Sequence, residues 1–402
     1  MCSDSDSSST DDANADFIPL ITGTVAEFYI EPMLPHVCDI DEMLHYSTQL
    51  VIPRGHPPPT QLPAEFSDYV KVLEIVDSHL PGYVYLELRY LLTECIDDDK
   101  YSSTEYDRGM YLPNITHGGD QRAIHGPAVL TDHSHISYLP VDHVMCIRCL
   151  SWPSQAAGWP KRHRHYDWPD SATVDRVVNN GCDVVGVAHR QCTQHDWMSK
   201  HQWRLSFSRA EIVLINSWMP VQQIIYHMLR VFVKTELLAN KAKNPEADVL
   251  SNYHIKTLMM WACELKSSSF WTDDLNLIRI CVELLRTLSV WLTDARYPHY
   301  FIDNCNLLDN SLAVELIASQ LMSVDEAWLS TWFVSNYIRQ CSMLCPDNVS
   351  VLFSDVSTNM KLQYAVSAVV SWRLNTALLD TWRVLSTAQC LLKRRSSYTR
   401  IL

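Results

Sequence analysis

The apolar residues of this chain change their period part-way along it, and that change excludes both an all-α and an all-β fold. Up to about residue 205, MLHYSTQLVIP (43–53), YVKVLEIV (69–76), YVYLELRY (83–90) and VDHVMCIRCL (141–150) are short, β-branched and partly alternating, as strands are. RGHPPPT (54–60) ends the first of them in a Pro-rich turn. Beyond residue 205, Val221, Ile224, Ile225, Met228, Leu229 and Phe232 recur at helical spacing between Pro220 and Pro245. Further helices are expected at about 254–265, 273–293, 324–342 and 360–393, the one at 324–342 opened by a capping box from Ser323 to Glu326. The expected architecture is α+β, with a mixed-sheet core over 17–215 and an all-helical lobe over 216–402. No internal repeat interrupts this division.

Residues 1–16, MCSDSDSSSTDDANAD, bury nothing apolar and are expected to be a disordered acidic tail. They hold no signal-like apolar core, and no run of 18 apolar residues follows, so neither secretion nor a membrane span is expected. Thirteen scattered cysteines then point to a reducing, cytoplasmic setting. CIRC (Cys146, Cys149) and HRQCTQH (His189, Cys192, His195) contain zinc-ligand residue types, but neither has a second ligand pair at a convincing distance. Free thiols and polar loop residues are the better reading. The polar stretch from Thr93 to Asp120 reads as a long mobile surface loop. A net charge of −14 argues against general nucleic-acid binding.

The stretch CDIDEML (38–44) places Asp39 and Asp41 on either side of Ile40. On a strand, residues two apart share a face, so the two carboxylates project together and repel. A divalent cation removes that cost, and Mg²⁺ takes one or two carboxylates along with substrate phosphates. The alternative is a solvated turn, which is commoner for an isolated Asp-x-Asp. Upstream, Gly23 and Thr24 open a segment that reads as a helix, where backbone N–H groups can approach a phosphate. Downstream, Asp142 begins an apolar strand. Three carboxylates on adjacent strands suit two-metal phosphoryl transfer, in which the metals lie about 3.5–4 Å apart.

Gly23-Thr24, Asp39-x-Asp41, Asp142, WRLSFSRAE (203–211), NYHIKTLMMWACE (252–264) and PHYFIDNCNLL (298–308), in this order, resemble the cyclic GMP-AMP synthase-like receptors of the Mab-21-like group. The resemblance covers about residues 17–310 and implies a nucleotidyltransferase-type core with a helix-hairpin-like lobe. It implies that Asp39, Asp41 and Asp142 bind Mg²⁺ or Mn²⁺, with Asp142 also acting as base. It places Thr24 against nucleotide phosphates, Arg204, Ser208 and Glu211 along the nucleotide pocket, and Tyr253 against a base. Arg230 best matches a phosphate-binding lysine of the family, with Lys234 one turn further on; a solvated helix face is the equal alternative for both.

The chain departs from the family after WRLSFS, where the His-Cys-Cys-Cys zinc loop of several members is missing. No structural zinc is expected, nor double-stranded DNA recognition in that mode; double-stranded RNA or an unknown ligand is the expected activator. The family's long N-terminal helix is also expected to be missing. Lys161, Arg162 and Arg164, with His163 and His165, form one basic cluster among Trp159, Tyr166 and Trp168. Lys393, Arg394, Arg395 and Arg400 form another. The first suits phosphate contact or, slightly better, an ordinary surface loop anchored by its tryptophans. The implied activity is the joining of two ribonucleoside triphosphates, such as ATP and GTP, into a cyclic dinucleotide. The rival is a catalytically silent Mab-21-like binding or developmental protein.

Overall fold

The computed structural model describes residues 17–22, 40–95, 100–114, 124–125, 128–131, 141–192, 196–237, 250–272, 277–308 and 313–344. The acidic tail, Gly23, Thr24, Asp39, His195, the expected helix at 360–393 and the C-terminal basic cluster lie outside these residues. The chain divides into two compact units. The first takes residues up to His163, then Pro169–Ser217 and Phe301–Cys305; the second takes Arg164–Trp168, Trp218–Tyr300 and the chain from Asn306.

The first unit is built on ten strands: β1 (Phe17–Thr22), β2 (Ile40–Ile52), β3 (Tyr69–Asp77), β4 (Tyr83–Glu94), β5 (Tyr101–Glu105), β6 (Ile124–His125), β7 (Ala128–Thr131), β8 (Val141–Cys149), β9 (Cys182–Val185) and β10 (Gln202–Ser206). The sheet runs β1-β2-β3-β4-β10-β9-β8-β7-β6, and β2 also pairs with β8, so the strands from β2 round to β8 close on themselves. β2 is parallel to β3 and β8, and the other pairs are antiparallel, which makes the sheet mixed.

β2 serves two cores. Its register with β8 shifts between His45 and Leu50, which marks a bulge. Before the shift, Met43 packs with Cys146 and Val185. Beyond it, Leu50 and Ile52 join Phe66, Val70, Val72 and Leu92. An alternating strand buries one face; the bulge lets this one bury different residues at its two ends.

Helices α1 (Ser171–Asn179), α2 (Asp196–His201) and α3 (Ser208–Ile215) complete the unit. Asp170 caps α1, its carboxylate accepting from the Thr173 N–H at 2.7 Å. Gly181 turns the chain from α1 into β9 at φ +62°, and a Cβ there would meet the Cys149 carbonyl oxygen at 2.2 Å. Only glycine fits that approach. Trp159, fully buried, joins Trp152, Phe207 and Phe301, the last two stacked at 4.6 Å.

The stretch from Thr93 to Asp120 is not simply a loop. Within it β5 pairs with β4, and Arg108 reaches both Glu74 and Glu87 at 3.0 Å. The Gly109 N–H adds a bond to Glu87 at 2.7 Å, and Asn114 donates to the Ser199 and Gln202 carbonyls at 2.8 Å. Glu74 and Glu87 are register partners on β3 and β4, buried to 2% and 4% exposure. Two adjacent buried carboxylates require donors, and this polar segment supplies them.

The second unit holds α4 (Pro220–Phe232), which runs on as a π-turn over Val233–Leu237, then α5 (Asn252–Leu265), α6 (Leu277–Thr293), α7 (Ala313–Met322) and α8 (Glu326–Leu344). α6 packs against α4, α5, α7 and α8. The expected capping box from Ser323 does not open α8. Asp325, not Ser323, caps α8, its carboxylate accepting from the Trp328 N–H at 2.8 Å. Ser323 instead donates to the Gln320 carbonyl at the end of α7. The helix starts later than the serine predicted, which puts the aspartate in the capping position. Among the described residues, no helix is long and apolar enough to cross a membrane.

Candidate active site

β2 lies between β1 and β8 over its first half, and its partner in β8 at each position is set by the parallel register. Asp41 is the partner of Asp142. Adjacent strands lie about 4.8 Å apart, and register partners stand on one face. That face continues through Met43 and His45 on β2 and through Val144, Cys146 and Arg148 on β8. On β1, Thr22 pairs with Asp41, and its hydroxyl donates to the Asp41 carbonyl at 3.3 Å. On the opposite face, Glu42 and His143 are also register partners, with His143 Nε2 3.0 Å from the Glu42 carboxylate.

Two carboxylates one strand spacing apart are oxygen donors of the kind a hard divalent cation takes. Among the described residues no group of three or more His, Cys, Asp and Glu side chains forms a metal site. Asp39, the third expected carboxylate, lies outside them.

Further along the same face, Asp183 on β9 is fully buried. It accepts from Arg209 Nε at 3.1 Å, faces His45 Nε2 at 3.0 Å and has Arg148 at 3.7 Å. Burial pushes its carboxyl up, but the His45 hydrogen bond and the Arg209, His45 and Arg148 charges outweigh that and hold it below the ordinary range. The other His45 nitrogen, Nδ1, lies 3.1 Å from the Ile18 carbonyl. This cluster joins the two strands that carry Asp41 and Asp142 to β1, β9 and α3. Sequence reasoning missed it. The available signal was Asp183 itself, a charge inside the short buried run CDVV, which demands partners.

The remaining expected site residues fall in both units. Arg204 is exposed on β10, opposite Tyr83 on β4. Ser208 opens α3, its hydroxyl 3.1 Å from that of Ser206, and Glu211 is buried one turn on. In the second unit, Tyr253 on α5 has its hydroxyl 3.1 Å from His299 Nε2. Arg230 is only 2% exposed and lies over the Tyr226 ring, 5.4 Å from its centroid. A solvated helix face therefore does not describe it, because its position on α4 points inward with Tyr226 and Leu229. Lys234 follows, half-buried, in the π-turn.

The first basic cluster is divided. Lys161, His163, His165 and Tyr166 are exposed, while Trp159 is core and Arg164 lies 3.7 Å from the buried Glu264 carboxylate. Cys146, Cys149, Cys182 and Cys192 are buried free thiols.

Residues 84–217 match the Mab-21 protein nucleotidyltransferase domain, and residues 222–321 match the Mab-21 protein HhH/H2TH-like domain. The chain carries a Mab-21 family nucleotidyltransferase domain. The Mab-21 match begins in β4 and takes in Asp142, Asp183, Arg204, Ser208 and Glu211, whereas Asp41 precedes it. Over 170 residues the chain is 28% identical to Protein mab-21-like 3 of Danio rerio, covering 41% of this chain and 38% of that protein. Over 156 residues it is 28% identical to Protein mab-21-like of Drosophila melanogaster, covering 38% and 39%. The aligned part spans about two fifths of the length of these Mab-21-like relatives.

Proposed function

We propose that this chain is a ligand-activated nucleotidyltransferase that joins two ribonucleoside triphosphates, such as ATP and GTP, into a cyclic dinucleotide. The observation that carries this reading is the register pairing of Asp41 with Asp142 in a chain with a Mab-21 nucleotidyltransferase domain. Mg²⁺ or Mn²⁺ held by Asp41, Asp142 and Asp39 would neutralise triphosphate charge and activate the attacking hydroxyl. The chain's own groups do the rest. Asp142 takes the proton of a ribose hydroxyl as its oxygen bonds to an α-phosphorus, and the bond to the departing pyrophosphate breaks. A second transfer of the same kind closes the ring. Thr24 contacts phosphate; Arg204, Ser208 and Glu211 orient the nucleotide, and Tyr253 offers its ring to a base. Arg230 reaches phosphate only if its surroundings open, since it is buried. Double-stranded RNA is the proposed activator, and the cytoplasm the proposed site of action.

Incubating the full chain with labelled ATP and GTP, Mg²⁺ or Mn²⁺ and double-stranded RNA tests this. A cyclic dinucleotide, identified by mass spectrometry and lost in D142N, is expected. No product with any nucleotide pair or RNA returns the chain to the catalytically silent reading.

A further inference from the structure

The second unit contains a cavity of about 300 Å³ with a distinct chemistry. It is lined by Phe232, Glu236, Gln320, Leu321, Ser323, Val324 and Trp328. Phe232, Leu321 and Val324 are buried and make an apolar floor. Trp328 stands at 90° to Phe232 with ring centroids 6.1 Å apart, and is 46% exposed at the rim. Both rings line the cavity, and Trp328 offers the more exposed of the two.

The only charge among the described lining residues is the carboxylate of Glu236. It sits in the π-turn that prolongs α4, a distortion that widens a helix and often marks a functional position. Trp332, 8% exposed and packed at 5.1 Å on Phe232, donates its indole N–H to Glu236 Oε1. That bond fixes the carboxylate beside the rings. Among the described residues Oε2 makes no hydrogen bond, so it remains an acceptor for a ligand.

We propose that this cavity binds a small organic cation, an alkylated ammonium. Aromatic faces attract a weakly hydrated cation through their quadrupoles, and a carboxylate supplies the counter-charge. No lysine, arginine or histidine among the described lining residues opposes it. The chain's net charge of −14 raises the local concentration of cations further. The volume is at the small end for ligand pockets, which suits a free amine of choline size. The site is independent of the nucleotidyltransfer chemistry and needs no metal or nucleotide.

Calorimetric titration of the full chain with choline chloride, against the neutral isostere 3,3-dimethylbutan-1-ol at equal ionic strength, tests it. Saturable choline binding at least about tenfold tighter than the isostere is expected, since the two differ only in charge. E236Q keeps the acceptor for Trp332 and should bring choline down to the level of the isostere. W328A, at an exposed position, should abolish binding with an unchanged thermal transition. Choline binding no tighter than its isostere, or binding unaltered in E236Q, overturns the proposal. So does a trimethyllysine peptide binding more than about tenfold tighter than choline, which would make the site a peptide reader.

Discussion

Asp41 and Asp142 stand opposite one another in the parallel β2–β8 pair, although a hundred residues of chain separate them. Like charges at directly opposed strand positions are unfavourable, and a structure that holds them so has a use for them or offsets the cost. Asparagine at either position keeps the shape and removes one charge. D41N and D142N should fold with thermal transitions within a few degrees of the parent. Mn²⁺ should raise the parent's transition temperature and leave both variants unmoved. An equal Mn²⁺ shift in parent and variants would remove this pair from the metal proposal.

Asp183 is the counter-ion shared by Arg209 and Arg148 and the hydrogen-bond partner of His45. D183N leaves cationic partners facing a neutral amide at a buried position, a change that costs about 3–5 kcal/mol. Because the folded carboxyl titrates below its ordinary 3.8, its contribution is present above that value and lost as pH falls through the folded one. Urea unfolding of the parent should therefore weaken in strong acid, and D183N should be weak already at neutral pH. A D183N midpoint equal to the parent's would show the cluster to be energetically idle.

His227 behaves in the opposite sense to a salt-bridged histidine. Burial and the nearby Arg230 charge push its pKa down from 6.5 to about 4. Between those values the unfolded chain binds a proton that the folded one does not. Stability attributable to this residue is complete above 6.5 and falls as pH drops toward 4, by at most about 3 kcal/mol. H227Q should flatten this part of the pH profile of the second unit, monitored by denaturant midpoints. A profile of the same slope in H227Q would rule the residue out as its source.

Asp325 and Ser323 make different predictions for α8. D325A removes the acceptor of the Trp328 N–H and should cost about 1 kcal/mol. S323A loses only a bond to the Gln320 carbonyl and should cost less than about 0.5 kcal/mol. Reversal of that order in chemical denaturation would restore the serine as the cap.

Gly181 has no tolerated substitute. At φ +62°, with the Cys149 carbonyl 2.2 Å from any Cβ, alanine must displace β8 or β9. G181A should lose more than about 1 kcal/mol. Thermal unfolding at the parent's temperature would contradict that close approach.

Much of the fold was legible because periodicity is local. The segments now seen as β2, β3, β4 and β8, and the helices α4, α5, α6 and α8, were all expected from spacing and Pro positions. β5 was not, because its residues YSSTE carry no apolar face, and it forms only as the partner of β4. α7, AVELIASQLM, was not expected either; it is a short helix close to α8.

The amino-acid sequence alone determined where apolar faces occur, hence a mixed-sheet half followed by a helical half, and it set two aspartates around Ile40. The three-dimensional arrangement decided that Asp142 lies opposite Asp41, that Asp183 draws His45, Arg148 and Arg209 together, and that Arg108 serves Glu74 and Glu87. The reason is range. A side chain's direction follows from its nearest neighbours along the backbone, but strand register and the partner of a buried charge depend on segments far apart in sequence.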